Sequence, residues 1–210
     1  MYMIRAPFWL RRFYGKARWD MPPTQPPAVY LTFDDGPHPV ITPQVLDILR
    51  TYQAKATFFC IGKNVAEYPS VYEDIIAQGH TVGNHTHRHL NGWKTKTEDY
   101  IADVQQAALQ VNSRLFRPPY GRIKPAQARQ LSIQGFSVVL WSLLSGDFDV
   151  HITPDQCRDR VIQNLEPGDI VVFHDSQKAA SRMLFTLPHI LEHCAAKGWD
   201  MRALDVLEIH

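Results

Sequence analysis

No stretch of the 210 residues approaches the ~20 consecutive apolar residues that a membrane-spanning helix requires. The N-terminal run Ala6-Pro7-Phe8-Trp9-Leu10 is shorter than the core of a signal peptide, roughly 7–15 residues. A secreted precursor is therefore not supported, and a cytoplasmic or membrane-associated chain is the expectation. Charge of one sign is also missing: 22 Lys and Arg face 21 Asp and Glu. A formal net charge of +1 exerts no global pull on nucleic acid or acidic polymers, so no nucleic-acid partner is expected. Cysteine is scarce. Cys60, Cys157 and Cys194 are odd in number, lack CxxC spacing and lie in or beside apolar-periodic segments, which reads as buried thiols. Internal repeats and low-complexity tracts are lacking beyond one proline-rich stretch.

What is present is the composition of an ordinary globular domain, 45% hydrophobic and 20% charged, at a length that suits one domain with a full core. Residues 1–28 stand apart. Arg5, Arg11, Arg12, Lys16 and Arg18 alternate with Phe8, Trp9, Phe13, Tyr14 and Trp19, and Met21 to Pro27 form a stiff, extended connector. This arm either packs on the domain with its arginines in solvent, the favoured reading, or makes a peripheral contact through residues 1–20 with an anionic membrane.

The domain proper is expected over residues 29–210. Val29–Phe33, Ala56–Ile61, Thr81–His85, Ser137–Trp141, Asp169–Phe173 and Asp200–Leu204 read as buried strands, rich in β-branched and aromatic residues and bounded by turns. Helical patterns lie between them. Thr42-Pro43 and Thr153-Pro154-Asp155-Gln156 look like helix starts with an N-cap and a proline in the first turn, the second with a capping box. Ile101, Val104, Ala108, Val111 and Leu115 give the helix from about Thr97 one apolar face. Gly79, Gly135 and Gly198 suit helix C-termini. The βα alternation implies an α/β fold with a mainly parallel sheet, doubly wound or barrel, with reactive groups at the carboxyl ends of strands.

Three sequence features meet that placement. Thr32-Phe33-Asp34-Asp35-Gly36-Pro37 ends the first strand with two carboxylates that are costly to crowd together unless a cation or arginine compensates them; the alternative is a turn with solvated acids. Gly83-Asn84-His85-Thr86-His87-Arg88-His89 follows another strand. If the chain turns helical there, His85 and His89 share a face and can reach one ion, with His87 pointing elsewhere. One carboxylate and two imidazoles would leave coordination positions open, as a catalytic metal requires. Val172-Phe173-His174-Asp175 ends a further strand, and Asp147 or Asp149 could orient its imidazole. Between them, Arg117-Pro118-Pro119-Tyr120-Gly121 is a stiffened loop that serves either a positioned residue or an ordinary turn.

Taken in order, TFDDGP, NHTHRH, RPPYG, the Trp141–Asp147 segment and VFHD resemble the five motifs of the polysaccharide deacetylase family, the NodB homology domain of carbohydrate esterase family four, over about residues 29–206. The resemblance implies an incomplete, distorted (β/α) barrel. It implies metal-dependent removal of N-acetyl groups from an N-acetylated sugar or polysaccharide, with rivals in O-acetyl ester hydrolysis, small-molecule amide hydrolysis and noncatalytic sugar binding. By position, Asp34 matches the general base, and Asp35, His85 and His89 the ligands of one divalent metal. Zinc suits these ligands best; cobalt, nickel or manganese would also fit. Arg117 matches the arginine that holds the base, Tyr120 the residue whose backbone N–H meets the oxyanion, His174 the general acid and Asp147 its carboxylate partner.

Two departures affect the expected substrate wall. Phe148 stands where many members have tryptophan, with Leu144 at the position of a further aspartate, and Val172 replaces a leucine. Trp93, Asn91 and Lys178 are further candidates for a carbohydrate groove.

Overall fold

Strand β1, Ala28–Asp34, sets the architecture. Its odd residues Val29, Leu31 and Phe33 join one apolar cluster, whereas Ala28 and Tyr30 join another. This is the two-residue alternation of a strand buried on both faces. In the computed structural model, which describes residues 3–7 and 17–205, β1 is followed by α1 (Ile41–Thr51), β2 (Thr57–Cys60), α2 (Gly62–Glu67), α3 (Pro69–Ala77), β3 (Thr81–Asn84) and α4 (Thr97–Ala108). Then come β4 (Leu115–Phe116), α5 (Pro125–Ile133), β5 (Ser137–Val138), β6 (Leu143–Leu144), α6 (Pro154–Ile162), β7 (Ile170–His174), α7 (Ala180–Ala196) and β8 (Asp200–Met201). The order across the sheet is β5-β4-β3-β2-β1-β7-β6, with β8 on β1, and every one of these pairings is parallel. No helix among the described residues is long and apolar enough to cross a membrane.

The two ends of this order are one piece of chain. Val139 N–H donates to Phe116 at 2.8 Å and Ser142 N–H to Ile170 at 3.1 Å, so residues 137–144 leave β4 and arrive at β7 without a helix between. The sheet thereby curls into an incomplete, distorted (β/α) barrel. Its outer face carries Val45, Leu46 and Leu49 of α1, Ile75 of α3, and Leu187, Ile190 and Leu191 of α7, all buried in the main core. The inner face carries Tyr30, Phe59, Leu115 and Val139. By the same alternation, Thr32 and Asp34 belong to the inner face, which brings Asp34 to the barrel axis at the carboxyl end of its strand.

The three cysteines are free and buried. The capping box at Thr153 forms as read, with Gln156 N–H on Thr153 Oγ1 at 3.1 Å and Thr153 N–H on Gln156 Oε1 at 2.9 Å. Gly79, Gly135 and Gly198 adopt left-handed φ of 76°, 82° and 67° just past α3, α5 and α7. Thr42 is not an N-cap. His38 Nδ1 accepts from Val40 and Ile41 N–H, so α1 begins two residues earlier than that cap would place it, and Thr42 Oγ1 turns toward the loop after β7. The apolar periodicity from Thr97 outruns its helix: α4 stops at Ala108, and Val111 and Leu115 are buried beyond it. Of Ser137–Trp141 only the first two residues are strand, because the segment must bend to change partners.

The described part of the N-terminal arm lies on that bend. Ala6 N–H donates to Ser142 at 3.0 Å and Leu144 N–H to Ile4 at 2.8 Å. Arg18 N–H donates to Val138 at 2.9 Å and Leu140 N–H to Arg18 at 2.7 Å. Arg5 does not sit in solvent: its two terminal nitrogens grip Asp169 at 3.0 and 2.8 Å, and one also meets the Asn164 carbonyl. Phe8, Trp9, Arg11, Arg12, Phe13, Tyr14 and Lys16, which carried the membrane-contact reading, lie outside the described residues.

Asp169 is nearly buried and also accepts from Ser142 Oγ at 2.7 Å and Glu166 N–H at 2.8 Å. Asp169→Ala is expected to cost about 2–3 kcal/mol, since several charge-assisted hydrogen bonds and an ion pair go together, and Arg5→Ala about 1 kcal/mol. Urea denaturation of both variants measures this. A loss below about 0.5 kcal/mol for Asp169→Ala would show that the arm is not stapled to the barrel through this carboxylate.

Candidate active site

Three strand ends and two loops converge at the carboxyl face of the barrel. Asp34 is the last residue of β1 and His174 the last of β7, and the two are paired across the sheet. Residues paired in register on adjacent strands project to the same face, which sets this carboxylate and this imidazole side by side. Arg117, just past β4, is fully buried. Its Nη1 donates to Asp34 Oδ1 at 2.8 Å and to Thr32 Oγ1 at 2.6 Å, its Nη2 to the Leu140 carbonyl at 3.0 Å, and its Nε to Val139 at 3.3 Å. The guanidinium lies 4.0 Å from the Phe59 ring centroid. The two crowded acids of the sequence thus have separate fates, because Asp34 is neutralised by arginine.

Asp35 follows with φ of 81° and turns its carboxylate the other way. Its Oδ1 lies 3.1 Å from His89 Nε2 and 3.6 Å from His85 Nε2, and one donor atom from each residue falls within 4.8 Å of the others. That oxygen is buried and lacks a hydrogen bond of acceptable geometry. Burial alone would raise its pKa, but the His89, His174 and His85 imidazoles hold it well below the usual carboxylate range. His85 donates from Nδ1 to the Arg117 carbonyl at 2.8 Å, which leaves Nε2 as a lone-pair donor. Burial brings His85 down to about 4, against the opposing pull of Asp34, so the ring is neutral near pH 7. An orphaned carboxylate oxygen facing two bare imidazole nitrogens fits a divalent cation, and these three residues would hold it.

The pairing of His85 and His89 does not come from a helix. Residues 85–90 form an irregular loop in which Thr86 and His89 take left-handed φ of 63° and 57°. Asn84 Oδ1 accepts from Thr86 N–H at 2.9 Å, and Asp103 of α4 accepts from His87 and Arg88 N–H at 2.8 and 3.0 Å. His87 faces away from the triad, against Gly62.

On the opposite side, Asp147 is fully buried and engages His174 twice, through Nδ1 at 2.7 Å and through its backbone N–H at 2.7 Å. Burial would depress the imidazole, yet the Asp147 charge and hydrogen bond raise His174 to about 10. Asp149 accepts from His151 N–H in its own turn. Phe148 meets the His174 ring edge to face at 5.4 Å.

Asp34, Asp35, His85, His89 and His174 line one groove of about 690 Å³, within the range of small-molecule sites. Tyr120, Phe148, Val172, Trp93 and Lys178 are in its walls. Tyr120 has φ of 61° in a tight turn, and its ring packs on His89 at 4.7 Å. Asn91 is used locally, accepting from Trp93 N–H. Two supporting residues carried no role in the sequence reading. Asn64 Nδ2 donates to the Asp35 carbonyl at 2.8 Å. Asp175 is fully buried beneath the Asp34–Gly36 turn, where its N–H donates to the Asp34 carbonyl at 3.1 Å and Thr42 Oγ1 donates to its carboxylate. A Cβ on residue 36 would overlap that carboxylate, so the glycine of the first motif serves the aspartate of the fifth. That juxtaposition of motifs was the only signal in the sequence that could have found Asp175.

A family model described as polysaccharide deacetylase matches residues 22–139. A peptidoglycan-N-acetylglucosamine deacetylase of Bacillus cereus is 36% identical over 191 residues, covering 88% of this chain and 89% of its own length. A chitooligosaccharide deacetylase of Azorhizobium caulinodans is 35% identical over 195 residues, covering 84% and 92%. The crystal structure of the Bc1960 peptidoglycan N-acetylglucosamine deacetylase, in complex with 4-naphthalen-1-yl-N-oxidanyl-benzamide, superposes with a TM-score of 0.82 at 28% identity over 93% of each chain. With the motifs placed at the strand ends and the relatives matched along nearly the whole chain, this protein belongs to the polysaccharide deacetylase family, whose members are metal-dependent hydrolases.

Proposed function

We propose that the groove removes N-acetyl groups from a glucosamine-type polysaccharide, releasing acetate, and that its resident ion is zinc. The observation that carries this reading is the cross-strand pair of Asp34 and His174 beside the Asp35-His85-His89 triad. One of the pair is ion-paired with Arg117 and the other is held as an imidazolium by Asp147. A base and an acid of opposite charge next to a cation site are what amide hydrolysis needs. The names of the B. cereus and A. caulinodans relatives, which specify peptidoglycan N-acetylglucosamine and chitooligosaccharide, support the same chemistry.

The ion, when bound, supplies Lewis acidity that polarises the amide carbonyl and lowers the pKa of water. Two imidazoles and a carboxylate suit zinc among the borderline metals. Asp34 accepts the proton of the attacking water, and its hydrogen bond from Arg117 aims that carboxylate. The Tyr120 N–H stabilises the oxyanion as it forms. His174 gives its proton to the departing amine, a step that an amide demands more than an ester does, so the Asp147–His174 pair argues for N- over O-acetyl substrates. Phe148 and Val172 wall the acyl group.

Asp34→Asn is expected to lower acetate release from N-acetylglucosamine oligomers by about 10³-fold while zinc binding, read by calorimetry, stays intact. Activity within tenfold of wild type would remove Asp34 from the role of base.

The Asp147–His174 pair also predicts a pH dependence of stability. A pKa raised from 6.5 to about 10 contributes stability that is full below about pH 6.5 and is lost as pH rises toward 10. In metal-free protein, the stability gap between wild type and His174→Gln should therefore narrow between pH 6.5 and 10. A gap independent of pH over that window would contradict the ion pair.

A further inference from the structure

The three candidate ligands come from two loops: Asp35 from the turn after β1, and His85 and His89 from the segment after β3. Strand β2 runs between those strands and parallel to both, with Phe59 in register with Asp34 and Cys60 with Asn84. The chain that leaves β2 therefore emerges between the two ligand loops. It consists of Ile61 and the first residues of α2, Gly62, Lys63 and Asn64, and none of these four lines the groove.

Their donors go to both loops. On the β1 side, Ile61 N–H donates to the Gly36 carbonyl at 2.9 Å and Asn64 Nδ2 to the Asp35 carbonyl at 2.8 Å. On the β3 side, Gly62 N–H donates to the Thr86 carbonyl at 3.0 Å and Lys63 N–H to that of His87 at 3.1 Å. The first N–H groups of a helix have no partner within it, and here three of them are taken by loop carbonyls. Two of the four carbonyls belong to strained residues. Asp35 and Thr86 have left-handed φ of 81° and 63°, a conformation uncommon outside glycine and rarest for a β-branched residue. Such backbone persists only where its surroundings over-determine it. The approach to the histidine loop needs the glycine: a Cβ on residue 62 would stand 2.7 Å from Ala107 Cα of α4 and 2.9 Å from His87 Nδ1.

We propose that residues 61–64 brace the metal centre from outside the groove, fastening the Asp35 turn to the histidine loop, and that Asn64 is a positioning residue for the ion. The proposal rests on the metal reading of the triad and deepens it. Ligands fixed by a further set of hydrogen bonds need little reordering when an ion binds, so the loss of one such bond is felt as weaker metal affinity. Asn64 is the one member of the brace that acts through its side chain, and it can therefore be altered while the three backbone donors stay in place.

The test uses the full-length protein and two readouts: zinc affinity, by competition with a chromophoric chelator, and the visible absorption band of the cobalt-loaded protein. Asn64→Ala and Asn64→Leu, the second close to asparagine in volume, are each expected to weaken zinc about tenfold and to shift the cobalt band. Lys63→Ala removes only an exposed side chain and keeps the backbone N–H, so both readouts should stay at wild-type values. Urea denaturation of the metal-free variants separates positioning from a purely structural role. Asn64 variants that lose stability but bind zinc within twofold of wild type, with an unshifted cobalt band, would overturn the brace and leave the metal reading standing. Equal weakening by Lys63→Ala would also overturn it, since the effect would not follow the hydrogen bonds. Wild-type protein that binds neither zinc nor cobalt would overturn the metal reading itself, and the brace with it.

Discussion

The buried ion pair between Arg117 and Asp34 is the constraint on which the rest of the site depends. A guanidinium taken wholly out of water costs several kcal/mol unless its donors and charge are met. Here one residue touches nearly every wall of the barrel: β1 through Thr32 and Asp34, the β5–β6 bend through Val139 and Leu140, and β2 through Phe59. Its own carbonyl holds His85 after β3. Burial pulls its pKa below the ordinary arginine value, with Asp34 acting the other way, and a guanidinium still stays charged at any working pH. Asp34, His85 and the closure of the sheet are thus fixed by a single residue.

Around that charge, the site separates two aspartates that adjoin in sequence. A left-handed residue at Asp35 sends the second carboxylate away from the arginine and toward the imidazoles of His85 and His89. Asp175, packed where Gly36 leaves room, and Asn64, bonded to the Asp35 carbonyl, hold the turn in that shape. The Asp35-His85-His89 cluster and Asp34 therefore owe their division to backbone conformation as much as to side-chain identity.

The parts of this arrangement that were legible in the sequence are those written locally. The apolar run ending in Asp34, the histidines after β3 and the histidine ending β7 each announce a strand end bearing a reactive group, and the capping box at Thr153 is four residues long. Other parts depend on distant residues. The histidine loop resembles a helical turn by spacing alone, but its conformation is imposed by Asp103, sixteen positions past His87. Strands of two residues, β4 and β6, are too short to show a period. Thr42 has the chemistry of an N-cap and is used instead by Asp175, which lies 133 positions away.

Arg5 and Asp169 are separated by 164 residues, and Ala6 meets Ser142 across most of the chain. Contacts of such sequence separation incur loop-closure entropy before they return any stabilisation, which makes them slow to form. A chain emerging from the ribosome presents its arm first, when the β5–β6 bend and Asp169 do not yet exist. The strands from β1 to β4 can associate in order as they appear, each beside its predecessor. The arm's partners lie between Val138 and Asp169, so it can dock only after that later part of the chain has been made.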